Sequence, residues 1–471
     1  MGVKRQQVGD DQQFLCYEEP ASSCPGAGGE GGTQAAACEV FQSSTALNPA
    51  RALTEHLMEE VCQRDNLNRA YRRVKSNQGA PGVDGMSIAD LGPWIKQHKE
   101  KWVASLLNGL YQPQPVRRVD IPKQGGGMRQ LGIPTGIDRL AQQAILQVLE
   151  PLLDPTFSAS SYGFRPGRGA HDALAAASKY VADGRVIVVD LDLEKFFDRV
   201  NHDILMARLA RRIADKRLLH IVRRFLQAGM MHEGVCVERY EGTPQGGPLS
   251  PLLANLLLDD LDKELEKRGH CFCRYADDCN IYVQSKAAGE RVMASVTKFL
   301  EKRLRLRVNR EKSQVGHVSE RKFLGHRLIK GGTLTIAPKS LQRMKDRVRQ
   351  ITRRNRGVSF ERMIGELNSF LTGWVTYFRY ARCRTHLIEM DSWLRRKLRC
   401  VRLKQRKRRK SIAEFLGELG VPTKRSWLLA LTGKGWWRMA GSPQAAEAMS
   451  NAWFETQGLV RLAARHAALQ H

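Results

Sequence analysis

The sequence predicts an α+β protein, in which antiparallel strands are followed by a long helical region. Two patterns predict hairpins: strand-forming residues bracket Asp277 and Asp278, and two strand-like segments flank a glycine turn at 125–127. A β-branched run at 186–189 predicts a buried strand. From residue 338 onward, apolar residues recur at helical spacing between many cations, which predicts helices without further strands.

The remaining segments complete this prediction. Residues 1–50 are rich in Gly, Ala, Ser and Gln and cannot bury a core, so we expect them to be disordered. Apolar residues at spacings of three and four predict helices over 51–76, 137–153, 252–265 and 292–306. Pro151 is expected to stop the second of these.

Charge is the most unusual property of the chain. The 471 residues carry a formal net charge of +28, which predicts a polyanionic partner. Residues 301–410 hold 33 lysines and arginines against 8 aspartates and glutamates, so nearly all the excess lies in one segment. This distribution favours a dedicated nucleic-acid surface over a solvated face. Phosphate contacts are predicted for cations of its helices, namely Arg353, Arg354, Arg402, Lys404, Arg406 and Arg408.

Cysteine usage and hydropathy indicate the compartment. The ten cysteines form no pair of CxxC elements, which argues against a zinc site. Without a secretory signal, reduced thiols in a cytoplasm are expected. No apolar run approaches the roughly 20 residues of a membrane span, so no membrane association is expected.

Adjacent carboxylates form the first candidate site. Asp277 and Asp278 repel each other at the predicted hairpin tip, and a bound cation would keep both ionised. Mg²⁺ is the natural candidate because it takes hard oxygen ligands and leaves positions for phosphates and water. Taken alone, the pair is also compatible with a solvated hairpin turn.

A second acidic site follows the strand at 186–189, which delivers Asp190 or Asp192 to its end. Two-metal phosphoryl transfer requires about three carboxylates from separate strands, and Asp192, Asp277 and Asp278 could supply them.

Seven blocks in one order resemble those of bacterial group II intron reverse transcriptase/maturases. They cover GAPGVDGMS (79–87), VDIPKQGGGMRQLGIPT (119–135), SYGFRPGRGAHDAL (161–174), DLEKFFDRVNHD (192–203), GTPQGGPLSPLLANL (242–256), RYADD (274–278) and KFLGH (322–326). The resemblance extends over roughly residues 60–440. It implies a right-hand polymerase with fingers and palm over 51–337, a helical, basic thumb or maturase domain over 338–410, and a small helical nucleic-acid-binding region over 411–471.

The resemblance also assigns residues to the site. In the family, the catalytic aspartate is followed four and five residues later by two aromatic residues and six residues later by another aspartate. Only Asp192 fits this spacing, and Asp190 is the runner-up. Asp192, Asp277 and Asp278 are the catalytic positions, and with Leu193 they are expected to hold two Mg²⁺ ions. Phe197 is expected to lie against the sugar and exclude a 2′-hydroxyl, whereas Phe196 is expected in the core.

Other positions are expected to contact substrates. Lys123, Arg129, Gln245 and Lys312 match family residues beside the incoming nucleotide. Arg165 and Arg168 match a loop near the template. The segment at 322–326 resembles the turn that grips the primer end.

The implied function is RNA-directed DNA synthesis, with binding of the parent intron RNA, assisted splicing and insertion into DNA. The implied partners are intron RNA, an RNA template with a DNA primer, target DNA and dNTPs. Two alternatives remain: a retron-type or other domesticated bacterial reverse transcriptase, and an RNA-binding splicing cofactor without polymerase activity. Many family members carry a C-terminal endonuclease with histidines and paired cysteines. We find no such pattern and do not expect autonomous second-strand cleavage.

Overall fold

The computed structural model describes residues 54–122, 128–232, 235–237, 239–244 and 246–470, and of Arg129, His232 and Val235 only the backbone. The predicted disorder of residues 1–50 lies outside the described residues, as do the predictions for Lys123 and Gln245.

Helices dominate both ends of the described chain. They are α1 (Leu57–Cys62), α2 (Arg64–Asn77), α3 (Ile88–Leu107), α4 (Gly136–Leu153), α5 (Ala170–Ala182), α6 (His202–Ala210), α7 (Lys216–Gln227), α8 (Ser250–Lys267), α9 (Lys286–Phe299), α10 (Pro338–Ile351), α11 (Phe360–Tyr377), α12 (Arg384–Arg406), α13 (Arg409–Glu418), α14 (Thr423–Ala430), α15 (Trp436–Met439), α16 (Pro443–Ala448), α17 (Asn451–Thr456) and α18 (Leu462–Ala468). None of the helices in the described ranges is long and apolar enough to cross a membrane.

The strands form three sheets. They are β1 (Val116–Pro122), β2 (Met128–Ile133), β3 (Ile187–Leu191), β4 (Met230–His232), β5 (Val235–Val237), β6 (Cys271–Tyr275), β7 (Asp278–Val283), β8 (Gln314–His317), β9 (His326–Leu328) and β10 (Leu334–Ile336). The strand orders are β2-β1-β4-β5, β6-β7-β3-β8 and β10-β9. Strands β1 and β2 are antiparallel, and β1 pairs in parallel with β4. The α+β class with antiparallel sheets and a helical C-terminal region is confirmed.

Local predictions hold with small shifts. The two strands of each predicted hairpin are neighbours in a sheet, but the turn between β6 and β7 consists of Ala276 and Asp277, so that Asp278 is already the first residue of β7. Pro151 does not stop α4, which continues to Leu153. A proline near the end of a helix removes only one hydrogen bond, and the last turn remains helical.

The chain divides into two compact units, of which the first contains residues up to Gly169, Leu191–Cys279 and Arg291–Gln314. The second contains Ala170–Asp190, Asn280–Glu290 and the chain from Val315 onward. In the second unit one hydrophobic core extends from Ile336 to Leu462 and includes residues on both sides of position 410. The predicted domain boundaries at 50, 337 and 410 stay predictions.

Candidate functional site

Strand order brings the predicted catalytic segments to neighbouring strands. Asp192 follows the last residue of β3, Asp278 begins β7, and β3 and β7 are neighbours in one sheet. Asp277 occupies the turn just before β7. The side chain of Asp192 is 33% exposed, so its carboxylate remains accessible to ligands.

The backbone of Asp192 is fixed by the segment 309–313. Its N–H donates to Ser313 Oγ at 3.0 Å, and the Ser313 hydroxyl donates back to the Asp192 carbonyl at 3.2 Å. The Asn309 N–H donates to the same carbonyl at 2.9 Å. Three hydrogen bonds therefore restrain a residue that lies just beyond the end of its strand.

The same segment presents Lys312 to Asp192. Asn309 Oδ1 accepts hydrogen bonds from the N–H groups of Glu311 and Lys312, which forms a tight turn. Lys312 Nζ then lies 3.7 Å from Asp192 Oδ2. Because the lysine side chain is 64% exposed, this ion pair adds little stability, and the ammonium group is available to a phosphate.

The donors present suit a hard divalent cation chemically, since carboxylate oxygens are the ligands that Mg²⁺ prefers. Within the described ranges, no group of three or more His, Cys, Asp or Glu is arranged so that it could hold a metal ion, so the metal site of Asp192, Asp277 and Asp278 stays a prediction. Leu193 forms an antiparallel bridge with Val308. The two hydrogen bonds of that bridge use the Asp192 carbonyl and the Glu194 N–H, and neither uses the Leu193 carbonyl.

A buried polar network supports the turn between β6 and β7. Arg274, the residue before Tyr275, is 0% exposed and forms an ion pair with Asp262 of α8 at 2.6 Å, also fully buried. Its guanidinium also donates to Asn255 Oδ1, to Ser161 Oγ and to the carbonyl of Ala276. The arginine thus connects α8 directly to the peptide that precedes Asp277.

The segment from Ser161 to Gly163 also packs against the turn between β6 and β7. Ala276 adopts a left-handed conformation with φ of +57°. Gly163 lies so close that a Cβ atom there would overlap the Ala276 nitrogen, and Asn255 Nδ2 donates to the Gly163 carbonyl. The segment around Ser161 pairs with Arg274 as a parallel bridge. Glycine at position 163 is therefore required by the close approach of the turn that carries Asp277.

The aromatic pair after Asp192 divides as predicted. Phe196 is buried with 3% exposure, which confirms its place in the core, whereas Phe197 is half-buried. The carbonyl of Phe197 accepts a hydrogen bond of 2.6 Å from the Thr243 N–H. Gly242 packs against the same carbonyl, with φ of +91°. Gly242 and Thr243 thus lie against the residue predicted to contact the sugar.

Gly246 lies against strand β2. A Cβ atom on Gly246 would be 2.6 Å from the Gly132 carbonyl of β2, and φ at Gly246 is +132°. The register pairs Arg129 with Ile121 across the hairpin. The backbone therefore gathers three of the sequence blocks, those at 119–135, 192–203 and 242–256, and the predicted contacts of Arg129 stay predictions.

Arg165 does not fit its predicted role at the template. It is only 7% exposed, forms an ion pair with Asp154 at 2.6 Å and donates to the carbonyls of Ser158 and Ser161. Its guanidinium is occupied in stabilising the 158–163 segment, so the prediction is corrected to a structural role. Arg168 is half-buried and lies 5.9 Å from the ring of Tyr162, and its contact with a template stays a prediction.

The predicted phosphate-binding cations of the second unit fall into two groups. Arg353, Arg354 and Arg408 are exposed and Lys404 is half-buried. Arg402 and Arg406 place their guanidinium groups 5.3 and 4.3 Å from the ring of Phe415. Burial and the neighbouring Arg406 lower the pKa of Arg402. These two arginines contribute packing as well as charge.

The turn at 322–326 is joined firmly to the helices of the second unit. Tyr377 Oη donates to the Leu324 carbonyl at 2.8 Å, and Ser340 Oγ donates to the Gly325 carbonyl at 2.9 Å. His326 is 1% exposed, and burial lowers its pKa to about 4. It is therefore a neutral packing residue, whereas Lys322 at the start of the turn is exposed.

Sequence reasoning missed the buried network and one exposed aromatic. Three polar residues of α8 share one helical face at spacings of four and three and are 0–1% exposed: Asn255, Asp259 and Asp262. Such residues on the buried face of an apolar helix indicate a buried cation partner, which here is Arg274 for Asp262. Phe164 is 55% exposed with φ of +56° and lies 6.4 Å from Tyr275.

Comparisons with known families agree with this geometry. Residues 121–328 match the family described as reverse transcriptase (RNA-dependent DNA polymerase). Residues 341–416 match the maturase-specific domain of group II introns.

Several curated proteins are similar in sequence. The Escherichia coli protein YkfC is 35% identical over 318 residues, which cover 59% of this chain and 83% of that protein. The group II intron-encoded protein LtrA of Lactococcus lactis is 38% identical over 195 residues, or 41% of this chain and 32% of LtrA. An uncharacterized 91 kDa protein in the cob intron of Schizosaccharomyces pombe is 36% identical over 213 residues, or 44% of this chain and 25% of that protein.

Proposed function

Because this chain belongs to the family of group II intron reverse transcriptases and maturases, we propose that it copies RNA into cDNA and binds its parent intron RNA to assist splicing and mobility. The substrates are an RNA template, a DNA primer and dNTPs, and the further partner is target DNA. The chain spans about a third of LtrA, and the proposal concerns this chain alone. A bacterial cytoplasmic location belongs to the same proposal.

The reaction is attack of the primer 3′-hydroxyl on the α-phosphate of a dNTP. A bond forms between the 3′-oxygen and the α-phosphorus, the hydroxyl proton is released to water, the bond from that phosphorus to the bridging oxygen breaks, and pyrophosphate leaves. Asp192, Asp277 and Asp278, with the Leu193 carbonyl, would hold two Mg²⁺ ions, which when bound activate the hydroxyl and stabilise charge on the leaving group.

The chain's own groups orient the substrates. Lys312, with Lys123 and Arg129, provides cations for the triphosphate, and Gln245 lies beside the nucleotide. The observation that carries the proposal is the adjacency of β3 and β7 in one sheet, because it supports a common site for Asp192 and the Asp277–Asp278 pair. The two alternatives gain no support, since both a reverse transcriptase and an intron maturase domain match the chain.

Primer extension tests the polymerase proposal. A DNA primer annealed to an RNA template, incubated with dNTPs and Mg²⁺, should be extended to the template end, and chelation of the cation should stop the reaction. Failure to extend with Mg²⁺ or Mn²⁺, while the protein still binds intron RNA, would instead favour the splicing cofactor without polymerase activity.

Phe197→Ala is expected to admit ribonucleotides. Removing the half-buried ring opens the space that a 2′-hydroxyl would occupy, and the backbone contact to Thr243 is retained. The measurement is the ratio of rNTP to dNTP incorporation in single-nucleotide extension.

Phe197→Tyr keeps the ring and is the matched control, for which the ratio should stay low. An unchanged ratio in the alanine variant would show that Phe197 does not exclude the 2′-hydroxyl.

Arg353→Gln, Lys404→Gln and Arg408→Gln together are expected to weaken intron RNA binding more than extension on a short, saturating primer-template. Removing one phosphate contact lowers the slope of log affinity against log salt by roughly 0.7 to 0.9, so the triple variant should lower it by roughly 2 to 3. Binding titrations at several salt concentrations measure this slope.

A double variant, Arg402→Gln with Arg406→Gln, is the comparison for this triple variant. Because both guanidinium groups pack on Phe415, this pair should also lower the melting temperature, which the triple variant should not. An unchanged slope in the triple variant would mean that those cations form a solvated face.

A further inference from the structure

A small basic cavity in the second unit is unassigned. It has a volume of about 220 Å³ and is lined by Thr352, Arg354, Lys397, Cys400, Val401 and Trp437. The cavity therefore joins the end of α10, the middle of α12 and the short helix α15.

Cations converge on this cavity. Arg354 is exposed, and its Nη1 lies 3.8 Å from Cys400 Sγ in the cavity wall. Lys397 Nζ lies 5.7 Å from the ring of Trp437 and 5.8 Å from that of Trp393. Arg396 lies 4.4 Å from the Trp437 ring and donates to its carbonyl. No Asp or Glu is among the described residues that line the cavity.

The electrostatics favour an anion there. Burial, together with the neighbouring charges of Arg349 and Arg354, lowers the pKa of Lys397. Arg349 has a carboxylate partner in Asp346, at 2.6 Å, but Asp346 does not line the cavity. Like charges held together without a lining carboxylate are relieved by a bound anion, and a phosphate accepts hydrogen bonds from both an arginine and a lysine.

The aromatic wall adds a second property. Trp437 is 40% exposed although it borders the cavity, and the wall also includes the apolar Val401 and Cys400. In a nucleotide, a phosphate and a ring system are adjacent, so the cations could bind the phosphate while the indole contacts the rings. The cavity therefore suits a nucleotide better than a free inorganic ion.

We propose that this cavity binds a phosphate of the RNA strand, held between Arg354 and Lys397, with the adjoining nucleotide against Trp437. The proposal rests on the proposed function for the identity of the strand. It assigns RNA contacts to Lys397 and Trp437, which the charge runs and the spacing of aromatic residues in the sequence did not single out.

Lys397→Met is the principal test, because it removes the charge and keeps the apolar part of the side chain. Affinity for a parent intron RNA fragment, titrated at several salt concentrations, should fall, and the salt slope should decrease by about 0.7 to 0.9 for one phosphate contact. Trp437→Ala should weaken binding by roughly 5-fold or more with the slope unchanged, and Trp437→Phe should restore most of the affinity.

Lys410→Met is the matched control. It removes the same charge from the same unit, but Lys410 faces a carboxylate, Glu414, at 3.8 Å. If Lys410→Met lowers the slope as much as Lys397→Met, or if Lys397→Met binds like wild type, the proposal is overturned. Primer extension by Lys410→Met should equal wild type, and a wild-type protein that neither extends primers nor binds the RNA would contradict the proposed function instead.

Discussion

Replacing Asp277 or Asp278 with asparagine is expected to lower cDNA synthesis by at least about 100-fold while intron RNA binding stays near wild type. The substitution keeps the shape of each side chain but removes the negative charge that a divalent cation requires. RNA affinity is proposed to depend on cations of the second unit, which these substitutions do not touch. Primer extension and RNA binding measured on the same preparations test both statements.

Asp203→Asn is the control for removal of one carboxylate in the same unit. Asp203 is 77% exposed and pairs with Arg223 at 2.7 Å, so extension should be unchanged. Asp190→Asn separates the runner-up from Asp192, since only substitution of Asp192 should match the effect at Asp277. Residual extension above a few per cent in Asp277→Asn or Asp278→Asn would contradict the assignment.

Periodic patterns made most of the fold predictable. Strand-forming residues around an acidic turn predicted the β6–β7 hairpin, and spacings of three and four predicted α4 and α8 within a few residues. The pairing of β1 with β4 was not predictable, because it joins segments more than 100 residues apart. Local patterns determine elements, whereas packing between distant segments decides which elements pair.

In the candidate site, too, residues in short local patterns were predictable and contacts between distant residues were not. Carboxylates and aromatics could be predicted because their chemistry is visible in short blocks, and the burial of Phe196 and Phe197 differs as expected. Arg165 was misassigned because the sequence does not reveal that its guanidinium group donates to the carboxylate of Asp154, eleven residues earlier. Ser313 was missed because its contact with Asp192 spans 121 residues.

Arg274 shows how such a distant network can matter for the reaction. Its ion pair with Asp262 is entirely buried, and one of its hydrogen bonds reaches the Ala276 carbonyl at 2.9 Å. Complete removal of the cation would leave Asp262 as an uncompensated buried charge, which typically costs about 3–5 kcal/mol. A variant that keeps the positive charge but lacks the planar guanidinium group therefore separates a role in positioning the turn from a role in folding.

Arg274→Lys is expected to lower the maximal rate of nucleotide addition by roughly 10- to 100-fold, with KM for dNTP nearly unchanged. The lysine can still face Asp262, but a single ammonium group cannot also reach Asn255, Ser161 and Ala276, so the turn that carries Asp277 loses its support. Arg208→Lys is the matched control, because Arg208 pairs with Asp260 of the same helix at 2.7 Å and donates to the Ile204 carbonyl rather than to the turn. Both variants should lower the melting temperature, and only Arg274→Lys should lower the rate of a single nucleotide addition at saturating dNTP. Equal rates in the two variants would show that Arg274 stabilises the fold without positioning the catalytic turn.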